Sequence, residues 1–378
     1  MRIAFYSPLK SPDHPNPSGD RRMARALMAA LRAIGHEVTL ASEFRSLEPV
    51  GDADRQAAVR LEGEAIAARL IAGWTAAPAR APALWFTYHL YYKAPDWIGP
   101  RVAAALGIPY VVAEASHAPK RARGPWDLGH RAAEAAISGA AAIFALTRHD
   151  MACLRPVVSR PDRLHYLPPW LDAGPYRAAA RARPEHRRAL AASLDLDPAL
   201  PWLLAVGMMR PGDKAASYHL LAEALERLGT RGWQAIMVGD GRAADEIRAR
   251  FAPVAGQIRW AGQIDTAALP AIYATCDLYV WPAVNEAFGM AFLEAQAAGL
   301  PVVSVATRGV PDVVADGRTG LLVPADDPAA FAAAMRALID DKTRRQDLGT
   351  AASRFVAGER APAGAEALLA AVINGLRP

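Results

Sequence analysis

Cysteine is nearly absent, with Cys153 and Cys276 the only two in 378 residues. They lie too far apart to suggest a metal motif, and a chain of this length needs no disulfide staple, so a small secreted disulfide scaffold is excluded. Lysine is scarce too, with five residues against a heavy use of arginine and alanine, which reads as codon composition rather than function. No stretch approaches the ~18 apolar residues that a bilayer span needs. The opening MRIAFYSPLK carries one Arg and a short apolar strand, without the long apolar centre of a signal peptide, so the cytoplasm is the expected compartment. The one sequon-like triplet, Asn16-Pro17-Ser18, has Pro in the forbidden middle position. Aromatic residues do not interleave with the basic ones, and nucleic acid is not an expected partner.

What is present is a globular composition, 52% hydrophobic and 21% charged, long enough for two cores. Short apolar strands alternate with helical stretches: RIAFYS, HEVTLAS, ALWFTYH, PYVVAEA and AAIFALT, then, after a gap, WLLAVG, WQAIMVG, QIRWAG, DLYVWP and LPVVSVA. That alternation predicts α/β architecture, with two tandem Rossmann-like doubly wound domains and ligands at strand carboxyl ends facing a cleft. Eight prolines from Pro156 to Pro201 mark the gap. The boundaries expected are a first domain over 1–175, a linker over 176–200, a second domain over 201–355 and a terminal helix over 356–378 that returns to the first domain.

The net charge of +5 is uneven: residues 1–200 carry 26 basic and 19 acidic side chains, and residues 201–378 carry 17 and 19. The excess gathers at Lys120, Arg121 and Arg123 and at Arg177, Arg181, Arg183, Arg187 and Arg188. It reads either as solvated helix faces or as a surface meeting anionic lipid or a phosphorylated acceptor.

The stretch VNEAFGMAFLEAQAAGLPVV sets Glu286 and Glu294 in an otherwise apolar run. A strand ends at Pro282 and a helix is closed by Gly299 and Pro301, so Asn285 to Gly289 form a strand-to-helix turn. The amides of Ala287, Phe288, Gly289 and Met290 then cluster at a helix N-terminus, an anion site, where Gly289 leaves room for a close ligand. A diphosphate with a hydroxylated ring on each side, each ring held by one Glu, fits this spacing. So does a structural reading, with Glu286 as a dipole partner and Glu294 in a buried salt bridge.

The run E-A-F-G-M-A-F-L-E and the following AAGLPVVSVATRGVPDVVADGRTGLLVPADDPAAFAAAM resemble the retaining glycosyltransferases of family 4, with the GT-B fold. The resemblance covers the second domain from VGMMRPGDK through MVGDG and AGQIDTAALPAIYATCDLYVWP to about Asp340, and the first domain less specifically. It implies that Glu286 binds donor-sugar hydroxyls and Glu294 the ribose, with the amides at 288–290 on the phosphates and Gly239 and Ile264 bordering the base. Arg210 and Lys214 would neutralise the departing diphosphate, though Gly207-Met208-Met209-Arg210 departs from the family spacing by two places and Lys214 by about one. In the first domain Gly19, in SGDRRMARAL, would approach the donor phosphate, and His117, in YVVAEASHAPKR, would lie near donor sugar and acceptor. His89 and Glu114 are further acceptor-side candidates. The implied reaction is retaining transfer from a UDP- or GDP-sugar to a hydroxyl acceptor, by a same-face route needing no metal or other cofactor.

Two other readings remain open. Gly239-Asp240-Gly241-Arg242-Ala243-Ala244 formally matches a dinucleotide fingerprint, but Asp240 puts a carboxylate in the phosphate turn and no acidic residue closes the next strand. The fold would also suit a nucleotide-sugar binder without activity, or an epimerase.

Overall fold

The structure, a computed structural model, describes residues 1–16 and 18–376. Pro17 of the sequon-like triplet and the last two residues of the expected terminal segment lie outside the described residues. The chain divides into two compact units, Met1–Pro168 joined by the segment from Pro362 onward, and Pro169–Ala361. The first unit holds β1 (Arg2–Tyr6), β2 (Glu37–Ser42), β3 (Leu84–Leu90), β4 (Tyr110–Ala115), β5 (Ala142–Ala145) and β6 (Leu164–Tyr166). The second holds β7 (Trp202–Val206), β8 (Gln234–Val238), β9 (Ile258–Gly262), β10 (Leu278–Val280), β11 (Val302–Val305) and β12 (Gly320–Val323). Each unit forms one parallel sheet, in the orders β2-β1-β3-β4-β5-β6 and β12-β11-β10-β7-β8-β9. The doubly wound α/β class read from the sequence is the class observed.

Strands buried on both faces read as near-continuous apolar runs, and crossover helices supply the cover. β4 is buried throughout, and β3 everywhere except His89. On one face of the first sheet Phe5, Phe86 and Phe144 stack ring on ring, with centroids 5.6 and 6.3 Å apart. On the other, Tyr6, Trp85 and Ile143 share a core with Ala133 and Ile137 of the helix Asp127–Gly139. Each such ring withdrawn from water contributes about 2–3 kcal/mol.

Three boundaries differ from expectation. The stretch 176–200 is no linker: the helices Gly174–Arg181 and Arg183–Leu194 belong to the second unit and pack on the helix Leu269–Thr275. Their prolines, Pro175 and Pro184, sit in first turns, where a missing N–H costs nothing. Arg183 donates to the carbonyl oxygens of Ala274 and Cys276 (both 2.7 Å) and to Asp277 (2.7 Å), and Arg187 donates to Thr275 O (2.6 Å) and Asp277 (3.0 Å) while lying over Trp202. Part of the basic excess thus caps a helix end rather than facing a partner. The first unit ends at Pro168 rather than 175, and the chain returns to it at Pro362 rather than 356, where the helix Pro362–Asn374 packs on the helix Gly19–Ala33. β6 and β12, of three and four residues, lie outside the apolar runs of the sequence. No helix among the described residues is long and apolar enough to cross a membrane.

In each sheet the strand order reverses once, between β1 and β3 and between β7 and β10. The crevice outside the carboxyl ends of such a pair is where open α/β sheets take ligands.

Candidate functional site

At the switch point of the second sheet, β7 leads through residues 207–212 into the helix Asp213–Leu228, and β10 leads through residues 281–289 into the helix Met290–Ala297. The loop after β7 is zipped to the loop after β8. Gly207 N donates to Val238 O, Met209 N to Asp240 O and Ala243 N to Met209 O, each at 2.9 Å. A Cβ at Gly239 would lie 1.9 Å from Gly207 O, and one at Gly241 would lie 2.3 Å from Met209 O. The glycines that formally match a dinucleotide fingerprint are therefore required by this loop-to-loop approach.

The loop after β10 is held in a costly conformation. Ala283 and Asn285 adopt left-handed backbone angles (φ 56° and 52°), which non-glycine residues keep only where their surroundings insist. Val284 N donates to Ser217 Oγ at 3.0 Å, Asn285 Nδ2 to Asp213 Oδ1 at 3.0 Å, and Glu286 N to Ala283 O at 3.1 Å. Gly289 has φ +77°, and a Cβ there would meet the Phe292 ring at 2.7 Å and Glu286 Cγ at 3.2 Å. The room it provides is taken by its own helix, a different reason from the ligand clearance inferred from sequence.

These constraints bring several of the candidates together. Among the described residues, the amides of Ala287, Phe288, Gly289 and Met290 donate to no protein acceptor. Beside them Lys214 Nζ donates to Glu286 Oε2, with each side chain 19% exposed and the ammonium 5.4 Å from the Trp281 ring. Glu294 lies in the second turn of the helix Met290–Ala297 and is buried, as are Phe288 and Met290. Arg210 is exposed in the turn before the helix Asp213–Leu228, where its carbonyl accepts from Ala215 N, and Ile264 is half-buried just past β9. A cation, unpaired amides at a helix N-terminus and the Glu286 carboxylate suit an anion that also carries hydroxyl groups.

Residues 201–341, which hold all of these groups, match the family described as Glycosyl transferases group 1. The second unit carries a group 1 glycosyl transferase domain. A similar curated protein is the D-inositol 3-phosphate glycosyltransferase of Corynebacterium diphtheriae, 37% identical over 154 residues, a match that covers 39% of this chain and 36% of that protein. Solved structures share the fold over the whole chain. Sucrose-phosphate synthase of Thermosynechococcus elongatus superposes with a TM-score of 0.77 at 19% identity, over 100% of this chain and 99% of its own. HepE of Anabaena in complex with UDP-glucose gives 0.74 at 17%, over 99% and 100%. The family resemblance and the two-sheet GT-B fold expected from it hold for this glycosyl transferase domain and for the chain's architecture respectively.

In the first unit, Gly19 begins the helix Gly19–Ala33 behind Ser18, whose Oγ accepts from Arg21 N at 3.2 Å, and a Cβ at Gly19 would meet nothing within 4 Å. His117 stands two residues past β4, but its side chain is only 6% exposed and its Nε2 lies 3.2 Å from Glu134 Oε2. His130 Nε2 lies 3.3 Å from the same oxygen, and the two imidazoles stack with centroids 5.1 Å apart. The three donor atoms, within 4.8 Å of one another, could hold a metal ion. The sequence reading names His117 and does not name His130. The i,i+4 spacing of His130 and Glu134 was the available signal, but only the fold brings His117 to that helix.

Proposed function

We propose that the protein is a retaining glycosyltransferase that moves a sugar from a nucleoside-diphosphate sugar to a hydroxyl acceptor. The observation that carries this reading is the row of amides at 287–290, which donate to no acceptor among the described residues and lie beside the Lys214–Glu286 pair. The amides and Lys214, with Arg210 entering from the exposed turn, stabilise the negative charge that develops on the departing diphosphate. Glu294 takes the ribose hydroxyls and Glu286 the donor sugar, while Gly239 and Ile264 border the base. HepE has been solved with UDP-glucose, and the Corynebacterium relative is named for transfer to D-inositol 3-phosphate, which supports a UDP-sugar donor and a hydroxylated acceptor.

Retention follows a same-face route in which the leaving phosphate receives the acceptor proton, so the protein's work is positioning and charge stabilisation. No divalent ion enters that scheme, and turnover in excess EDTA is expected to equal that without it. A thermal-shift screen of UDP-, GDP- and ADP-sugars tests the reading, because a ligand bound only by the native state raises its melting point. At least one nucleotide sugar should raise it and be hydrolysed slowly without acceptor. Binding of NAD in place of all of them would contradict the proposal, and binding without any hydrolysis or transfer would favour a non-catalytic nucleotide-sugar binder.

A further inference from the structure

After β4 the chain runs through residues 116–126 before the helix Asp127–Gly139 begins, and three side chains join the start of that loop to the helix. His117 stands near the start of the loop, and His130 and Glu134 lie one turn apart on the helix. The two imidazole Nε2 atoms are 3.2 and 3.3 Å from one carboxylate oxygen, Glu134 Oε2, and all three donor atoms lie within 4.8 Å of one another. The histidine side chains are 6% and 4% exposed and that of Glu134 is 46% exposed, so the corner they form has a buried floor and opens to solvent past the carboxylate.

The spacing is that of a coordination shell. Zinc-type ions hold imidazole nitrogen and carboxylate oxygen at about 2.0–2.1 Å in a tetrahedron, which makes the ligand-to-ligand edges about 3.3–3.4 Å. Both nitrogen-to-oxygen edges here are close to that length. They are long for charge-assisted hydrogen bonds, which draw in to about 2.7–2.9 Å. Among the described residues no arginine or lysine pairs with Glu134. The neighbouring Arg131 is held by Asp127 at 3.0 Å, and the Arg121 guanidinium lies over the Tyr92 and Trp126 rings. His117 Nδ1 is buried with no partner among the described residues, so that ring's polar engagement is all at this corner, where it stacks on His130.

We propose that His117, His130 and Glu134 bind one first-row divalent cation of the zinc type through the two Nε2 atoms and the carboxylate, with solvent in the fourth position. Two imidazoles and one carboxylate select zinc, cobalt or nickel over magnesium and calcium, which take oxygen shells. The ion pins the loop 116–126 to the helix Asp127–Gly139, and its effect is on stability. It occupies the nitrogen of the histidine that the family resemblance would send to the sugar, and so gives that side chain a different task. The site lies within the first unit and enters no step of the transfer reaction, so it stands apart from that reading: stripping the ion lowers the melting point and leaves turnover in EDTA unchanged.

The test uses the full chain without an affinity tag, stripped with EDTA, dialysed, and titrated with Zn²⁺ and Co²⁺. His149 and Cys153, 3.9 Å apart on an exposed helix, are a rival chelate, so every titration is repeated in Cys153→Ser. One equivalent of zinc should bind with a micromolar or lower Kd in both backgrounds, and cobalt should show the visible absorption of a four-coordinate centre without thiolate. Zinc at a hundredfold excess over Kd should raise the melting temperature by about 5 °C or more, and Mg²⁺ should leave it unchanged. Glu134→Gln, at a half-exposed position, should weaken zinc binding tenfold or more and remove the metal-dependent shift, which a purely hydrogen-bonded triad would not show in the first place. His130→Gln should do the same; if loss of that buried ring unfolds the chain, Glu134→Gln decides alone. The proposal is overturned if the stripped chain takes up neither ion at submillimolar concentration, if uptake disappears in Cys153→Ser, or if Glu134→Gln binds zinc as tightly as the wild type.

Discussion

Lys214 donates to Glu286 across the switch point of the second sheet, and the same loop that carries Glu286 ends in four amides with no acceptor among the described residues. The pair is half-buried, so it is neither a freely solvated surface bridge nor a fully desolvated one. A diphosphate arriving at the amides would compete with Glu286 for the ammonium, exchanging a single negative charge for a larger one. Lys214 is thereby held in place before the ligand comes, which is the condition under which a cation is most effective on a developing charge.

On the proposed reading, Lys214→Ala removes that cation from the transition state more than from the bound donor. Turnover should fall by roughly a hundredfold, about 3 kcal/mol, while UDP affinity changes only a few-fold. Steady-state kinetics beside calorimetry separates the two, and wild-type turnover in the purified variant would dismiss Lys214 as the leaving-group partner.

Glu294→Ala acts in the opposite sense. On the proposed reading it loses two charge-assisted hydrogen bonds to the ribose, which should weaken nucleotide binding by about 2–3 kcal/mol, roughly thirty- to a hundred-and-fifty-fold. Deoxy-UDP analogues should bind the wild type less well and the variant no worse than UDP itself.

Gly289→Ala meets both a left-handed backbone angle and the Phe292 ring. It should cost about 1–3 kcal/mol of stability and displace the start of the helix Met290–Ala297. Urea unfolding and UDP titration should both register the change; a variant as stable as the wild type would show that the loop can relax.

Burial lowers the pKa of His89, but Glu114 and Asp20, 3.7 and 3.0 Å from its Nδ1, outweigh burial and raise it to about 9, which makes stability depend on pH. A histidine whose folded pKa lies near 9 contributes stability that is complete below the unfolded value of about 6.5 and is lost as pH rises through 9. Glu114, raised by burial to about 7 despite the opposing pull of His89, contributes stability that is complete below about 4.5 and is lost as pH rises to about 7. From pH 7 to 9.5 the His89 effect, worth about 2–3 kcal/mol, adds to a smaller loss in the same direction from Cys276, whose thiol burial pushes up to about 12. His89→Asn should flatten the denaturation profile over that window, and an imidazole titrating near 6.5 by NMR would refute the assignment.

Much of this was legible before the fold was known. The apolar runs from RIAFYS to LPVVSVA announced ten of the twelve strands, because parallel strands buried on both faces leave no polar alternation to confuse the reading. β6 and β12 escaped because three and four residues make too short a run. The turn at 285–289 was legible because a strand end, a glycine and an apolar helix follow one another in the sequence. Its partners were not: that Glu286 meets Lys214, or that His130 stacks on His117, depends on elements 72 and 13 residues apart being folded side by side. Arg183 and Arg187 read as loose basic charge because nothing local signals that they close the end of a helix about 90 residues further on.

The most direct test of the account is a crystal structure of the full chain grown or soaked with millimolar UDP or GDP. The account predicts phosphate oxygens within hydrogen-bond distance of the amides of residues 288–290, with the ribose hydroxyls on Glu294. A diphosphate bound elsewhere, or no nucleotide there at that concentration, would contradict it.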